Sequence, residues 1–257
     1  MLNPDPHIER LAITPQHTAW VIDDALLDPD AWVQRAATHF DAFEEQPHNA
    51  YPGPELRMPD GVTAALDAWL ADHLPARMGL AGTVRGHSRL SMATRAPHEL
   101  QPRQWLCHRD RLTDAPGQRV LATVLYLFRD PTLGGTAFFA PRRDGHDTAV
   151  LVHESGTLPP EAFTAKYGLT PAYMTASNPW FEKLASIEQR YNRLVAYDGG
   201  ALWHCSDSAA PERLTADPTR GRLTLNGFFV CNPPLKERLQ PRPSTIGCPR
   251  CAQPFVS

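Results

Sequence analysis

His108 and Asp110 stand two positions apart in the stretch Trp105-Leu-Cys-His-Arg-Asp110. Along an extended backbone, positions i and i+2 project from the same face. An imidazole and a carboxylate side by side can grip one divalent ion at two neighbouring coordination positions. A third ligand has to come from elsewhere in the chain, and His204 in Leu-Trp-His-Cys is the candidate. Two imidazoles and one carboxylate on one side of an octahedral ion suit Fe(II) and leave its remaining positions open to exogenous ligands. His-X-Asp by itself is a common pattern, and the weight of this reading comes from the elements around it.

Those elements change character along the chain. Residues 1–19 read as a loosely ordered lead, and Ala19–Asp24 as a strand. A helix follows with Asp28 as N-cap and Pro29 at its first position, carrying Trp32, Val33, Ala36 and Phe40. After a proline-rich loop over 45–60, a second helix spans about 61–73, with Val62, Leu66, Trp69 and Leu70 at helical spacing. From Thr83 onward the pattern is that of strands. In Val84–Thr94, residues Arg85, His87, Arg89 and Ser91 share a face, read as a solvated edge in preference to the polar wall of a pocket. Trp105–Asp110 reads as the next strand, and Arg119–Phe128 is apolar enough for a strand covered on both sides. Gly134-Gly-Thr-Ala-Phe-Phe139 turns into another. Residues 142–190 form an insertion whose last part reads as a helix capped by Asn178 and Pro179, with Trp180, Leu184 and Ile187 on one face. A strand, an Asp-Gly-Gly turn and a strand fill 192–204, and 221–231 is the final strand. No strand–helix alternation of the parallel kind is visible. The expected fold is therefore mainly β with supporting helices (α+β), built on an antiparallel jelly roll. It is organised as an N-terminal support region (1–82), a core (83–235) and a tail (236–257).

Composition excludes several classes. The 257 residues suffice for one sizeable core, and 42% hydrophobic with 21% charged residues is ordinary for a globular chain. A formal charge of −3 gives no electrostatic reason for a nucleic-acid partner. No segment approaches the ~18 apolar residues of a membrane span. The N-terminal Met-Leu-Asn-Pro-Asp-Pro-His has no signal-peptide pattern, so a soluble cytoplasmic protein is expected. Of five cysteines, Cys107 and Cys205 flank the candidate ligands and read as reduced, packed thiols. Cys248-Pro-Arg-Cys251 supplies half of a zinc knuckle with no second pair, and an exposed or disulfide-linked tail pair is the plainer reading.

Over residues 105–231 these features resemble, in order, the double-stranded β-helix (cupin-like) core of Fe(II)/2-oxoglutarate-dependent dioxygenases, specifically the prolyl 4-hydroxylase-like branch. His108-Arg109-Asp110 looks like its His-X-Asp motif. Thr123–Asp130 followed by Gly134-Gly-Thr-Ala-Phe138 resembles its apolar strand leading to a Gly-Gly-X-Thr-X-Phe segment. His204 looks like the distal histidine, and Arg222-Leu-Thr224 like the Arg-X-Ser/Thr pair that holds the co-substrate. Two departures stand out. Thr136 follows Gly134-Gly135 one residue early, and the 18 positions from His204 to Arg222 exceed the usual gap, which makes Arg220 a rival anchor. Arg222 shares a strand face with Thr224 and is preferred.

The resemblance implies Fe(II) held by His108, Asp110 and His204, with 2-oxoglutarate and O₂ as co-substrates. Arg222 would clamp the distal carboxylate of 2-oxoglutarate, a planar fork meeting a planar anion. Thr224 would add a hydroxyl donor. Tyr126 matches a position from which the family's tyrosine reaches the same carboxylate, although a core tyrosine with a satisfied hydroxyl is the plainer reading. The implied reaction releases succinate and CO₂ and hydroxylates, or otherwise oxidises, an unactivated carbon. Its substrate would be an amino acid, a peptide or protein side chain, or a natural-product intermediate. The 142–190 insertion and the Tyr51–Arg57 loop are where substrate contacts are expected. His7, His17, His39, His48, His73, His87, His98, His146 and His153 read as surface or packing residues. Two rivals remain: a cupin-type metalloenzyme that does not use 2-oxoglutarate, and a ligand-binding module without turnover. Oligomeric state is not legible.

Overall fold

A computed structural model describes residues 1–45, 51–74, 78–113 and 115–233. Among these residues, ten strands form two sheets with antiparallel pairing throughout. The larger sheet contains β1 (His7–Ala12), β2 (Thr18–Asp23), β3 (Glu55–Arg57), β4 (Thr83–Ala93), β5 (Arg119–Tyr126), β8 (Leu194–Asp198) and β10 (Arg222–Cys231), in the order β1-β2-β8-β5-β10-β4-β3. The smaller one contains β6 (Thr136–Pro141), β7 (Phe181–Ile187) and β9 (Trp203–Ser206), in the order β7-β6-β9. A single bridge joins His108 to His204 at the free side of β9, so the segment around His108 serves as a residual fourth strand of the smaller sheet. From β4 onward the chain alternates between sheets: β4, the His108 segment, β5, then β6 and β7, then β8, β9 and β10. That winding makes the core a double-stranded β-helix.

Strand alternation explains the layers. On β5, Leu121 and Leu125 point outward, where they join Leu66, Trp69 and Leu70 of helix α2 (Asp60–His73) and Trp32, Val33 and Ala36 of helix α1 (Pro29–Thr38). Ala122 and Tyr126 point inward, to Phe138, Val195 and Tyr197 between the sheets. Helices α3 (Gly145–Glu154) and α4 (Pro160–Tyr167) cover the outer side of the smaller sheet through Leu151 and Phe163, against Phe139, Phe181 and Trp203. β5 and β10 are thus covered on both faces, which is why they read as almost continuous apolar runs. As the sequence indicates, the Asp28 carboxylate caps α1 by accepting the Ala31 N–H at 3.0 Å, with Pro29 at the first position. No helix among the described residues is long and apolar enough to cross a membrane.

Three expectations need correction. The first residues are not a loose lead: β1 pairs with β2 from His7↔Asp23 to Ala12↔Thr18 and forms an edge of the larger sheet. Its side chains are mostly exposed, so it has no apolar periodicity to betray it. Trp105–Asp110 is not a continuous strand. Pro102–Trp105 is a 3₁₀ turn, and only His108 makes a ladder bridge. The stretch after Asn178 is a strand, not a helix. Phe181, Lys183, Ala185 and Ile187 are buried or half-buried while Glu182, Leu184 and Ser186 are exposed, a period of two. The Asn178 side chain does accept backbone N–H groups, from Trp180 and Phe181 at 2.8 Å each, but it caps a turn entering β7. The same side-chain chemistry serves both settings. The expected strand, Asp-Gly-Gly turn and strand over 192–204 are present, and the turn carries the chain from the larger sheet to the smaller.

Candidate metal centre

His108, Asp110 and His204 converge, although the first two come from an irregular extended segment and the third from β9. One ligand atom from each lies within 4.8 Å of the others. His108 Nε2 is 3.8 Å from Asp110 Oδ1, and His204 Nε2 is 3.7 Å from Asp110 Oδ2. Backbone pairing holds the three in register. His108 and His204 exchange both N–H···O bonds at 2.9 Å, and the Asp110 N–H donates to Gly199 O at 2.8 Å. The Gly199 position also explains the Asp-Gly-Gly turn, since a Cβ there would lie 2.1 Å from Asp110 Oδ2 and 2.8 Å from the Ala122 Cβ.

Three observations test whether these residues fit a metal ion. Asp110 Oδ2 is buried and accepts no hydrogen bond among the described residues, a costly state for a carboxylate oxygen that a bound cation would relieve. His204 Nδ1 lies 3.0 Å from the Leu202 carbonyl, which can only accept. The proton therefore sits on Nδ1, and Nε2 presents its lone pair toward Asp110. The His108 side chain is 46% exposed at the cavity mouth, yet desolvation by the groups packed around its ring, and next the neighbouring His204, push its pKa down, which favours the neutral, ligating form. The residues fit a divalent cation held by two imidazoles and a carboxylate.

The centre opens onto a cavity of about 300 Å³. Arg222 lines it and is 2% exposed. Its Nε donates to Leu133 O at 3.0 Å and its Nη2 to Gly135 O at 3.0 Å, which fixes the guanidinium plane against the Gly134-Gly135 turn. Arg220, the rival anchor, is exposed and outside the cavity lining. Tyr126 and Thr224 stand behind the lining. The Tyr126 hydroxyl pairs with Thr136 Oγ1 at 2.7 Å, and burial pushes its pKa up to about 12. Thr136, not Tyr126, reaches the cavity surface. Thr224 Oγ1 points to Ser91 O at 3.4 Å. The Tyr51 hydroxyl interacts with Thr224 and Arg222, both of which oppose the upward shift that burial imposes on it. The structure therefore brings together the three candidate ligands and Arg222, with Thr224 and Tyr126 one layer out.

Other lining residues were not legible as such. His87, assigned above to surface or packing, faces the cavity, stacked on Phe228 at 5.0 Å with 19° between planes. The polar face of β4 is a cavity wall, through His87 and Arg89, and not a solvated edge, because β3 pairs outside it. Continuing the two-residue spacing from Arg222 and Thr224 along β10 reaches Asn226 and Phe228, the signal by which they could have been found. Tyr173 and Met174 of the insertion and Tyr51 and Pro52 of the preceding loop also line the cavity. Cys107 and Cys205 are free thiols with pKa values raised by burial, Cys205 to about 12. Cys248 and Cys251 lie outside the described residues.

Among solved structures, the chain is similar to a prolyl-4-hydroxylase from Pseudomonas putida, with 14% identity over 83% of this chain and 92% of that one and a TM-score of 0.43. It is also similar to HygX from Streptomyces hygroscopicus with nickel and 2-oxoglutarate bound, at 14% identity over 83% and 82% of the two chains and a TM-score of 0.46. A third is SnoN, a non-heme alpha-ketoglutarate-dependent epimerase from nogalamycin biosynthesis, at 12% identity over 93% and 90% of the chains and a TM-score of 0.41. No protein of curated function matches the chain. Residues 4–229 match the model of the "Family of unknown function (DUF6445)", and the chain belongs to that family.

Proposed function

We propose that this protein is an Fe(II)- and 2-oxoglutarate-dependent dioxygenase that oxidises an unactivated C–H bond, with hydroxylation as the outcome. The observation that carries this reading is the convergence of His108, Asp110 and His204 in a cavity that is also lined by a buried arginine. Ferrous iron with 2-oxoglutarate and O₂ supplies oxidative decarboxylation to succinate and CO₂, coupled to oxidation of the substrate carbon.

The residues of the chain perform binding and positioning. His108, Asp110 and His204 would hold the ion through two imidazole nitrogens and one carboxylate. The Leu202 carbonyl keeps the His204 tautomer correct for ligation. Arg222 supplies positive charge for the distal carboxylate of the co-substrate, in an orientation set beforehand by the carbonyls of Leu133 and Gly135. Thr136, backed by the Tyr126 hydroxyl, offers a hydroxyl beside it. Tyr51, Tyr173 and Met174 wall the cavity and restrict water.

Anaerobic titration of the Fe(II)-loaded protein with 2-oxoglutarate tests the reading. A weak visible charge-transfer band that vanishes in His108→Ala and Asp110→Ala supports it, and iron binding without a band removes it. The alternative, a cupin-type metalloenzyme that does not use 2-oxoglutarate, is favoured by one feature. Arg222 already serves backbone carbonyls and has a structural role without any anion. In that case no band develops and iron stays bound.

A further inference from the structure

The wall of the cavity formed by β4 and β10 carries a polar pair that the metal centre and the co-substrate do not use. Arg89 and Asn226 are register partners across the two strands, so their side chains lie next to each other on the inward face. Both line the cavity. Arg89 Nε, a donor, and Asn226 Oδ1, an acceptor, are each buried without a hydrogen-bond partner among the described residues. Asn226 is 6% exposed.

Their orientation is set by one buried carboxylate. Glu55 on β3, 7% exposed, accepts Arg89 Nη1 on Oε2 at 2.9 Å and the Ser91 hydroxyl on Oε1 at 2.9 Å. Because the Ser91 hydrogen is committed to a group that can only accept, Ser91 Oγ must act as acceptor toward Asn226, whose Nδ2 lies 3.0 Å away. The amide of Asn226 therefore has one possible orientation, with Nδ2 toward Ser91 and Oδ1 turned away from it. Glu55 thus fixes both arms: Arg89 is left with an unused N–H, and Asn226 with an unused carbonyl. The Phe228 ring, beneath the Arg89 guanidinium at 4.9 Å and against His87, gives the same wall an apolar floor.

We infer that Arg89 and Asn226 are specificity-determining residues for a substrate that presents a hydrogen-bond acceptor and a donor side by side on one edge, as a primary carboxamide or a lactam does. A carboxylate satisfies Arg89 but sets a second acceptor against Asn226 Oδ1, and an ammonium does the reverse. Only a mixed edge satisfies both. The assignment of this group to the substrate rests on the dioxygenase reading, whereas recognition of the edge itself does not.

Ligand-observed NMR on the full chain without iron separates the two questions. The probes are propionamide and pyrrolidinone, which carry the mixed edge, against propionate, which has acceptors only, and N,N-dimethylpropionamide, which has no donor. Propionamide and pyrrolidinone are expected to bind about fivefold or more tightly than the other two, the worth of one hydrogen bond. Arg89→Lys keeps the positive charge without the Nε donor, and Asn226→Ser shortens the acceptor out of reach. In either variant the preference falls toward unity. Equal or tighter binding of propionate by the unaltered protein overturns the inference, as does absence of binding by all four probes at millimolar concentration. A preference that survives in both variants also overturns it. If the amide preference holds while the 2-oxoglutarate band is missing, the dioxygenase reading fails and the recognition pair stands.

Discussion

Gly199 and Asp110 are in mutual contact at two levels: the Gly199 carbonyl accepts the Asp110 N–H at 2.8 Å, and the missing Cβ of Gly199 is the space that Asp110 Oδ2 occupies. Any side chain at 199 must push the carboxylate off the line between the two histidines. Gly199→Ala is therefore expected to lower Fe(II) affinity by about ten- to a hundredfold, the range seen when support for a metal ligand is lost. Isothermal titration with the metal checks this, with the circular dichroism spectrum unchanged as the sign that the fold survives.

Replacing Arg222 separates charge from shape. Lysine restores a point charge but cannot serve the carbonyls of Leu133 and Gly135 and an anion together. In Arg222→Lys the 2-oxoglutarate concentration needed to saturate the charge-transfer band is expected to rise about tenfold or more, since a hydrogen bond to a charged group is worth about 1.5–3 kcal/mol. Iron affinity should be unchanged. An unchanged 2-oxoglutarate requirement would count against Arg222 as the anchor.

Acid stability has a local origin at the junction of β2 and β8. Asp23 takes Arg193 Nε at 2.7 Å and Nη2 at 3.0 Å, and Arg190 Nη1 at 2.9 Å. The Arg193 hydrogen bonds hold its carboxyl below the usual carboxylate value, outweighing the opposing effect of burial. A folded-state pKa below the unfolded one gives stability that is fully present above the unfolded value, near 3.9, and is lost as pH falls through the folded value. Asp23→Asn should cost about 1–2 kcal/mol at neutral pH, a charged hydrogen-bonded pair in partial burial. Its difference from the unaltered protein should shrink below about pH 4. Urea unfolding of both proteins across pH 3–7 measures it.

The insertion depends on one ring. Phe163 of α4 is 0% exposed and meets Trp105 edge-on at 5.7 Å and Tyr167 at 4.7 Å. Phe163→Ala should destabilise the protein by about 3–5 kcal/mol through the cavity it leaves. Because Tyr173 and Met174 follow α4 into the cavity wall, proteolysis within 142–190 should accelerate together with the loss in melting temperature.

The convergence of His108, Asp110 and His204 was legible because the proposed chemistry needs particular residue types at a spacing that any extended segment satisfies, whether or not it forms a ladder. His108 and Asp110 needed only i and i+2, and the error over Trp105–Asp110 left them untouched. Helix α1 was legible through its cap and spacing, and α2 through spacing alone. What failed has one physical source: side chains whose meaning depends on a neighbour remote in sequence. The face of β4 looked solvated because nothing in residues 84–94 indicates that β3 pairs on its outer side. His87 and Asn226 needed the β4–β10 register to become neighbours of a cavity. After Asn178, a cap shared by turns and helices outweighed a period of two that only the exposure of Leu184 makes plain. β1 is an exposed edge strand with hardly any apolar signal.

The order of the larger sheet has a consequence for how the chain acquires its structure. β10 lies between β5 and β4, yet it is the last strand among the described residues to be synthesised. Until residues 222–231 insert, the β4–β3 pair has no strand joining it to β5, β8 and β2, and two long edges stay open. The contacts that close the sheet span about a hundred residues or more, the kind of pairing that makes folding slow and leaves intermediates prone to association. Arg222 and Asn226 arrive on that same strand. Closure of the sheet and completion of the cavity are therefore a single late event, and a nascent chain halted before it has neither.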